Sequence, residues 1–235
     1  MSPRGAAALL LLALGLGACA SEDPVPPPPP AARCGYCADP LSDPEARTCA
    51  SCRHSAVLDP AQADAVRRHA ARALSERFGA TIPAGVSLSL TLLSPEELRA
   101  LAGPDAGPHL LAFTEVEELY RGELQVGRSF RIYLARETPA PWAAGILAHE
   151  LFHVVQTLAG GGPTQEDAFR EGAAQYVQHE VLQHLGAGRW AARVASDPDP
   201  IYGEGLRRFR ALVLSRGERQ ALELARRAPR FPPGY

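Results

Sequence analysis

Two histidines four residues apart, with a glutamate beside the first, stand out as the residues best suited to chemistry: His149-Glu150-Leu151-Phe152-His153. Residues four apart project from one face of a helix, so both imidazoles can aim a ring nitrogen at one metal ion. The adjacent glutamate then reaches a water on that ion. The surrounding residues are largely apolar, and an ionised carboxylate buried without a partner is costly, so Glu150 should not be idle. The chemistry implied is water activation on zinc. Two imidazoles and one carboxylate hold the metal and leave a position open for water, whose pKa falls towards neutrality. Glu150 is the expected general base, taking the water's proton and passing it to a leaving amine.

These residues need a helix under them and a second element to bring the carboxylate. Pro139 and Pro141 followed by Trp142 to Ala159 predict a buried helix, stopped by Gly160-Gly161-Gly162-Pro163. A second helix should run from Phe169 through Leu185, with Thr164 as its cap and Asp167 as a capping-box acid. Of its acids, Glu166 and Asp167 suit the opening turn and its dipole, and Glu180 lies near the far end. Glu171 is the expected third zinc ligand, followed by Gly172, Ala173 and Ala174, small residues that would let the two helices approach closely. One turn on, the Gln175 amide oxygen could accept the free N–H of His149 or His153 and fix its tautomer. An oxyanion donor is also required, and Tyr133, Tyr176 and Tyr202 are candidates. His54, His69, His179 and His184 read as solvated residues.

Upstream, Asp59-Pro60 predicts the start of a helix to Phe78 closed by Gly79, with Val66, Ala70, Ala73, Leu74 and Phe78 on one side. Alternation of Val86, Leu88, Leu90 and Leu92 predicts a strand from Ile82 to Leu93, and shorter strands are expected at Leu110 to Phe113 and Phe130 to Leu134. Between them, Ser94-Pro95-Glu96-Glu97 is a helix start. The fold class is therefore α+β, a small sheet with helices ahead of the chemistry. One edge strand could hold an extended peptide by strand addition.

Five cysteines divide into Cys19 and two pairs, Cys34-x-x-Cys37 and Cys49-x-x-Cys52. The pairs can make a closed four-sulfur structural zinc ribbon, so two zinc ions are expected in all; two disulfides are the competing arrangement in an oxidising compartment. Met1 to Arg4 is positive, Ala6 to Leu16 apolar, and Leu16-Gly17-Ala18-Cys19 has the form of a bacterial lipobox. Residues 1–18 are then a lipoprotein signal peptide, Cys19 the lipidated residue that anchors the chain to a membrane, and 19–32 a proline-rich tether. Residues 33–57 form the ribbon and 58–235 the catalytic domain. Ala20 favours the outer membrane, facing the periplasm. Net charge is -2 and pI about 6.4, which disfavours a nucleic-acid partner. All 24 basic residues are arginine, which carries no functional message.

Together these residues resemble the DA-one-type peptidases, LIM-domain regulators of plant organ size whose C-terminal domain is a zinc metallopeptidase. Ile146-Leu147-Ala148-His149-Glu150 is similar to that family's active-site helix, and Glu171-Gly172-x-x-Gln175 to its downstream glutamate motif. Ser196-Asp197 and Pro200-Ile201-Tyr202-Gly203-Glu204-Gly205 resemble a segment before its terminal helices, and the cysteine pairs with Ser55-Ala56-Val57 its LIM-like module. The resemblance implies a zincin-like fold of gluzincin type and a peptide or protein substrate, and it singles out Tyr202 as the oxyanion donor. The chain lacks a full LIM domain and a ubiquitin-binding helix, so that family's ubiquitin-dependent regulation does not carry over. Two other readings compete: a non-catalytic envelope lipoprotein that uses a peptidase-like fold and the ribbon to bind a partner or scaffold a complex, and a metal-dependent amidase of cell-wall peptides. An intact Glu150 argues against the first, and the second uses the same water activation.

Overall fold

Asp59 and Pro60 begin the first long helix as the sequence implies. The Asp59 carboxylate accepts from the Gln62 backbone N–H at 2.9 Å, and Gly79 closes the helix in the left-handed region at φ 62°. The computed structural model describes residues 32–43, 45–104, 107 and 110–235. The proposed signal peptide, Cys19 and the tether up to residue 31 lie outside the described residues. In chain order the elements are α1 (Ala50–His54), α2 (Pro60–Phe78), β1 (Ser87–Leu93), α3 (Pro95–Ala102), β2 (Ala112–Arg121) and β3 (Leu124–Ala135). They continue as α4 (Ala140–Leu158), α5 (Asp167–His184), α6 (Gly188–Ala195), α7 (Tyr202–Arg216) and α8 (Glu218–Arg227). No helix among the described residues is long and apolar enough to cross a membrane.

The protein is a mixed α+β structure around a three-stranded sheet of order β1-β3-β2. Central β3 runs parallel to β1 and antiparallel to β2, leaving β1 and β2 as the edges. Phe130, Ile132 and Leu134 alternate along β3 and are buried beneath the helices, where they anchor the register. The hairpin is much longer than its apolar runs predict. Its outer half is held by charged cross-strand pairs, Arg131 with Glu117 at 2.7 Å and Arg128 with Glu118 at 3.3 Å, so no apolar alternation marks it. The first strand, by contrast, begins only at Ser87, later than the expected Ile82.

Helix α4 is buried on nearly every side. Its first turn has no side-chain cap; the Ala140 N–H instead donates to the Ser55 carbonyl at 2.7 Å, at the exit of the cysteine segment. Helix α5 departs from expectation at its start. It begins at Asp167 with no side-chain cap, and Asp167 pairs with Arg170 at 3.0 Å instead of closing a capping box with Thr164. The cysteine segment and the helices and sheet that follow it form one compact unit.

Small residues set how closely the helices cross, though not all as expected. A Cβ at Gly145 would sit 2.7 Å from Leu182 Cγ, so it is α4 that yields space to α5. Gly172 serves a different neighbour: its Cβ would fall 2.3 Å from the backbone carbon of Gly205, where α5 crosses α7. Gly172→Ala is expected to destabilise the fold by about 2–3 kcal/mol, because the obstacle is backbone and cannot rotate away. Alanine's propensity advantage of about 1 kcal/mol is too small to offset this. A urea midpoint no lower than that of the parent would contradict it.

A polar cluster joins α2, α5 and α8. Arg77 donates to both oxygens of Glu218 at 2.7 Å and to Glu180 at 3.1 Å, and the Tyr176 hydroxyl donates to Glu218 at 2.6 Å. Burial alone would raise the Glu218 pKa, but Arg77 and Tyr176 outweigh it and hold the carboxyl below its usual value. A depressed folded-state pKa gives stability that is present above the unfolded value, about 4.3, and lost as pH falls through the folded one. Glu218→Gln should therefore cost about 1–2 kcal/mol at neutral pH. Denaturation curves should show this difference shrinking below about pH 4.

Candidate metal centres and active site

The apolar stretch that makes α4 a buried helix carries His149 and His153 one turn apart, with their Nε2 atoms 3.0 Å from each other. Helix α5 brings Glu171 Oε2 to 3.1 Å from His149 Nε2 and 3.2 Å from His153 Nε2. His149 and Glu171 are each only 7% exposed. Zinc bound tetrahedrally at about 2.0–2.1 Å separates its nitrogen and oxygen ligands by about 3.3 Å, so the three atoms already stand close to a coordinating arrangement. Three lone-pair-bearing atoms this close need a cation or shared protons between them, which is the donor set zinc satisfies. Electrostatics agree. Burial would lower the His153 pKa, but the Glu171 charge and hydrogen bond lift it to about 9. Burial would raise that of Glu171, yet the two histidines drive it far below the carboxylate range.

The other acids of this region are engaged elsewhere. Glu180 pairs with Arg77 and His179, Asp167 with Arg170, and Glu166 with Arg208. His54, His69 and His184 are exposed as expected, whereas His179 is largely buried against Glu180 rather than solvated.

Orientation of the candidate ligands differs from the expected scheme. Gln156, fully buried, accepts from His153 Nδ1 at 2.8 Å. Its amide nitrogen donates to the carbonyls of Ala225 at 3.2 Å and Arg170 at 3.4 Å, which fixes the amide's direction. Nδ1 of His153 must therefore carry the proton, leaving the Nε2 lone pair for a metal. Among the described residues Gln175, expected in this role, makes no hydrogen bond through its side-chain oxygen, and buried His149 Nδ1 also finds no partner. These two orphans are a complementary donor and acceptor. Arg170 donates from Nε to the second oxygen of Glu171 at 3.0 Å. Gln156 is visible in the sequence as an amide one turn beyond His153 on an apolar helix; Arg170 carries no comparable signal. Arg170→Met is expected to leave the fold intact and weaken zinc binding about 10- to 100-fold, measured by competition with a chromogenic chelator.

Glu150 lies beside His149, His153 and Glu171, is 6% exposed, and its Oε2 accepts from Thr114 Oγ1 at 2.7 Å. Thr114 belongs to β2, the edge strand that walls a cleft of about 300 Å³. His149, Glu150, His153 and Glu171 form the cleft's floor, and Ala112, Val116 and Pro163 are among its apolar walls. Tyr202, at the first turn of α7, also lines the cleft, with its ring centroid 6.3 Å from that of His149. Asp199 orients it by accepting from the backbone N–H groups of Ile201 and Tyr202 at 2.8 and 2.9 Å. Partial burial and the neighbouring Glu171 and Glu150 carboxylates push the Tyr202 pKa up, so its hydroxyl keeps its proton. The other two candidate tyrosines are turned elsewhere: Tyr133 donates to Glu115 at 3.0 Å, and Tyr176 to Glu218.

The four cysteines of the N-terminal segment converge, with every sulfur within 4.8 Å of the others and none in a disulfide. A tetrahedral four-sulfur zinc site spaces its sulfurs about 3.8 Å apart, and Cys37 and Cys49 stand at 3.5 Å. The cluster could thus hold a metal ion. Burial would raise the Cys34 thiol, but the backbone N–H groups of Cys37, Cys49 and Tyr36 bring it down to about 6; burial raises Cys37 to about 11. The segment is clamped to α6 by Arg189 on Asp39 at 3.2 Å and by Arg193 on the Tyr36 carbonyl at 2.9 Å. Its exit, Ser55 to Val57, exchanges backbone hydrogen bonds with residues 137–140, where α4 begins.

Comparison of the chain with protein-family models, curated proteins and solved structures returned no match.

Proposed function

We propose that the protein is a zinc-dependent endopeptidase with a zincin-like, gluzincin-type catalytic domain, held at the bacterial cell envelope by lipid on Cys19. The observation that carries this reading is the convergence of His149, His153 and Glu171 to within 3.2 Å, beside a glutamate that is not part of the ligand set and reaches an open cleft. A scaffold that only bound partners would have no use for that glutamate.

His149, His153 and Glu171 would hold zinc, which would polarise a scissile carbonyl and make water acidic enough to lose a proton near neutral pH. Glu150 accepts the water's proton and later delivers it to the leaving amine. Tyr202 donates from its hydroxyl to the developing oxyanion. The outer edge of β2 offers backbone groups for an extended peptide to lie along, and the apolar walls favour an uncharged side chain next to the bond cut. The four cysteines would hold a second, purely structural zinc ion.

The test is cleavage of a diverse mixture of unfolded peptides by the zinc-loaded protein, read by mass spectrometry before and after chelation. Cutting that stops with zinc removal and returns with its replacement supports the reading. Absence of any cutting by protein with both sites filled would overturn it.

A further inference from the structure

Thr114 makes the only side-chain hydrogen bond to the Glu150 carboxylate among the described residues. It reaches across from β2 to α4, 36 residues along the chain, and the 2.7 Å separation is that of a strong charge-assisted bond to a carboxylate. A glutamate side chain has three rotatable bonds, so a base left alone at the edge of a cleft would spread over several rotamers. The bond from Thr114 engages Oε2, and Oε1 accepts no side-chain hydrogen bond among the described residues of a carboxylate that lines the cleft. Threonine suits the task because its β-branched side chain has restricted χ1 in a strand, which gives the hydroxyl a fixed direction. Its backbone matters too. Thr114 pairs with Ile132 on the β3 side, and among the described residues no strand pairs with β2 on its other side.

We infer that Thr114 is the positioning residue for Glu150, aligning the base from the same strand edge along which an extended peptide would dock. Docking of peptide on β2 and alignment of the base are thereby tied to one strand position. This inference rests on the endopeptidase reading.

The test compares the zinc-loaded parent with Thr114→Val, which keeps the shape and loses the hydroxyl, and Thr114→Ser, which restores it. Turnover by the Val protein should fall about 10- to 100-fold, with KM changed less than about threefold and zinc content unchanged, while the Ser protein recovers to within about fivefold of the parent. Binding of a peptide hydroxamate, which must hand its proton to Glu150, is an independent readout. Calorimetry should show it weakened about tenfold in the Val protein and not in the Ser protein. Should the Val protein fail to fold, Thr114→Ala against Thr114→Ser decides, with the same gap expected. Equal turnover in Val and parent, an equal loss in Val and Ser, or a rise in KM alone would overturn the positioning role while leaving the peptidase reading intact. A parent that binds zinc and cuts nothing would remove both together.

Discussion

Glu150→Gln protein is expected to fold, to bind as much zinc as the parent and to cleave peptides at least about 10³-fold more slowly. The substitution is nearly isosteric. The glutamine oxygen still accepts from Thr114, and none of the three ligand atoms, which contact one another through His149 Nε2, His153 Nε2 and Glu171 Oε2, is disturbed. Only the capacity to take a proton is lost, because an amide oxygen is far less basic than a carboxylate. His153→Ala differs in kind. It deletes a ligand and leaves buried Gln156 without the donor it accepts from, so zinc and activity should fall together. Metal analysis beside single-turnover cleavage separates the two outcomes. Appreciable cutting by the Gln protein would mean that another group removes the proton, and Glu150 would then be a structural acid held by Thr114.

Much of this site was legible because its central geometry is local. Four-residue spacing on an apolar helix is sufficient to bring His149 and His153 together, and the choice of Glu171 needed only a second helix folding back. Glu171 does stand against the two histidines, but the grounds for choosing it hold only in part, since Asp167 pairs with Arg170 and does not cap α5, and the space at Gly172 is used by α7 rather than α4. Contacts between distant elements were not legible. Thr114 meets Glu150 because β2 runs one residue past its short apolar stretch, opposite buried Ile132, and packs beside α4, a contact 36 residues apart that no periodicity records. Gln175 was the natural candidate to orient a histidine from its place one turn after Glu171. Gln156 takes that position for His153 because the end of α8 presents the Ala225 carbonyl to the amide's other end, a contact 69 residues away in sequence.

Cys52→Ser is expected to have the largest effect on stability, through a site remote from the chemistry. Cys52 is fully buried, and its sulfur is one of four lying within 4.8 Å of one another, so a serine there removes one ligand of four and sets a hydroxyl in the core. Structural zinc contributes about 10–16 kcal/mol of apparent binding free energy in small zinc modules, and folding of the segment is coupled to that binding. The cost should not stop at residue 57. The Val57 N–H donates to the Thr138 carbonyl, Glu137 N–H to the Val57 carbonyl and Ala140 N–H to the Ser55 carbonyl, so loosening this exit strand uncaps the first turn of the helix that carries His149 and His153. Zinc content should drop from two ions per chain to one, with a fall in thermal midpoint. Hydrogen exchange should quicken at residues 137–140 while β3 stays protected. If thiol titration of the denatured, unreduced parent finds no free thiol among Cys34, Cys37, Cys49 and Cys52, the segment is held by disulfides instead. The same substitution would then act by opening a covalent loop, with the zinc count unchanged at one.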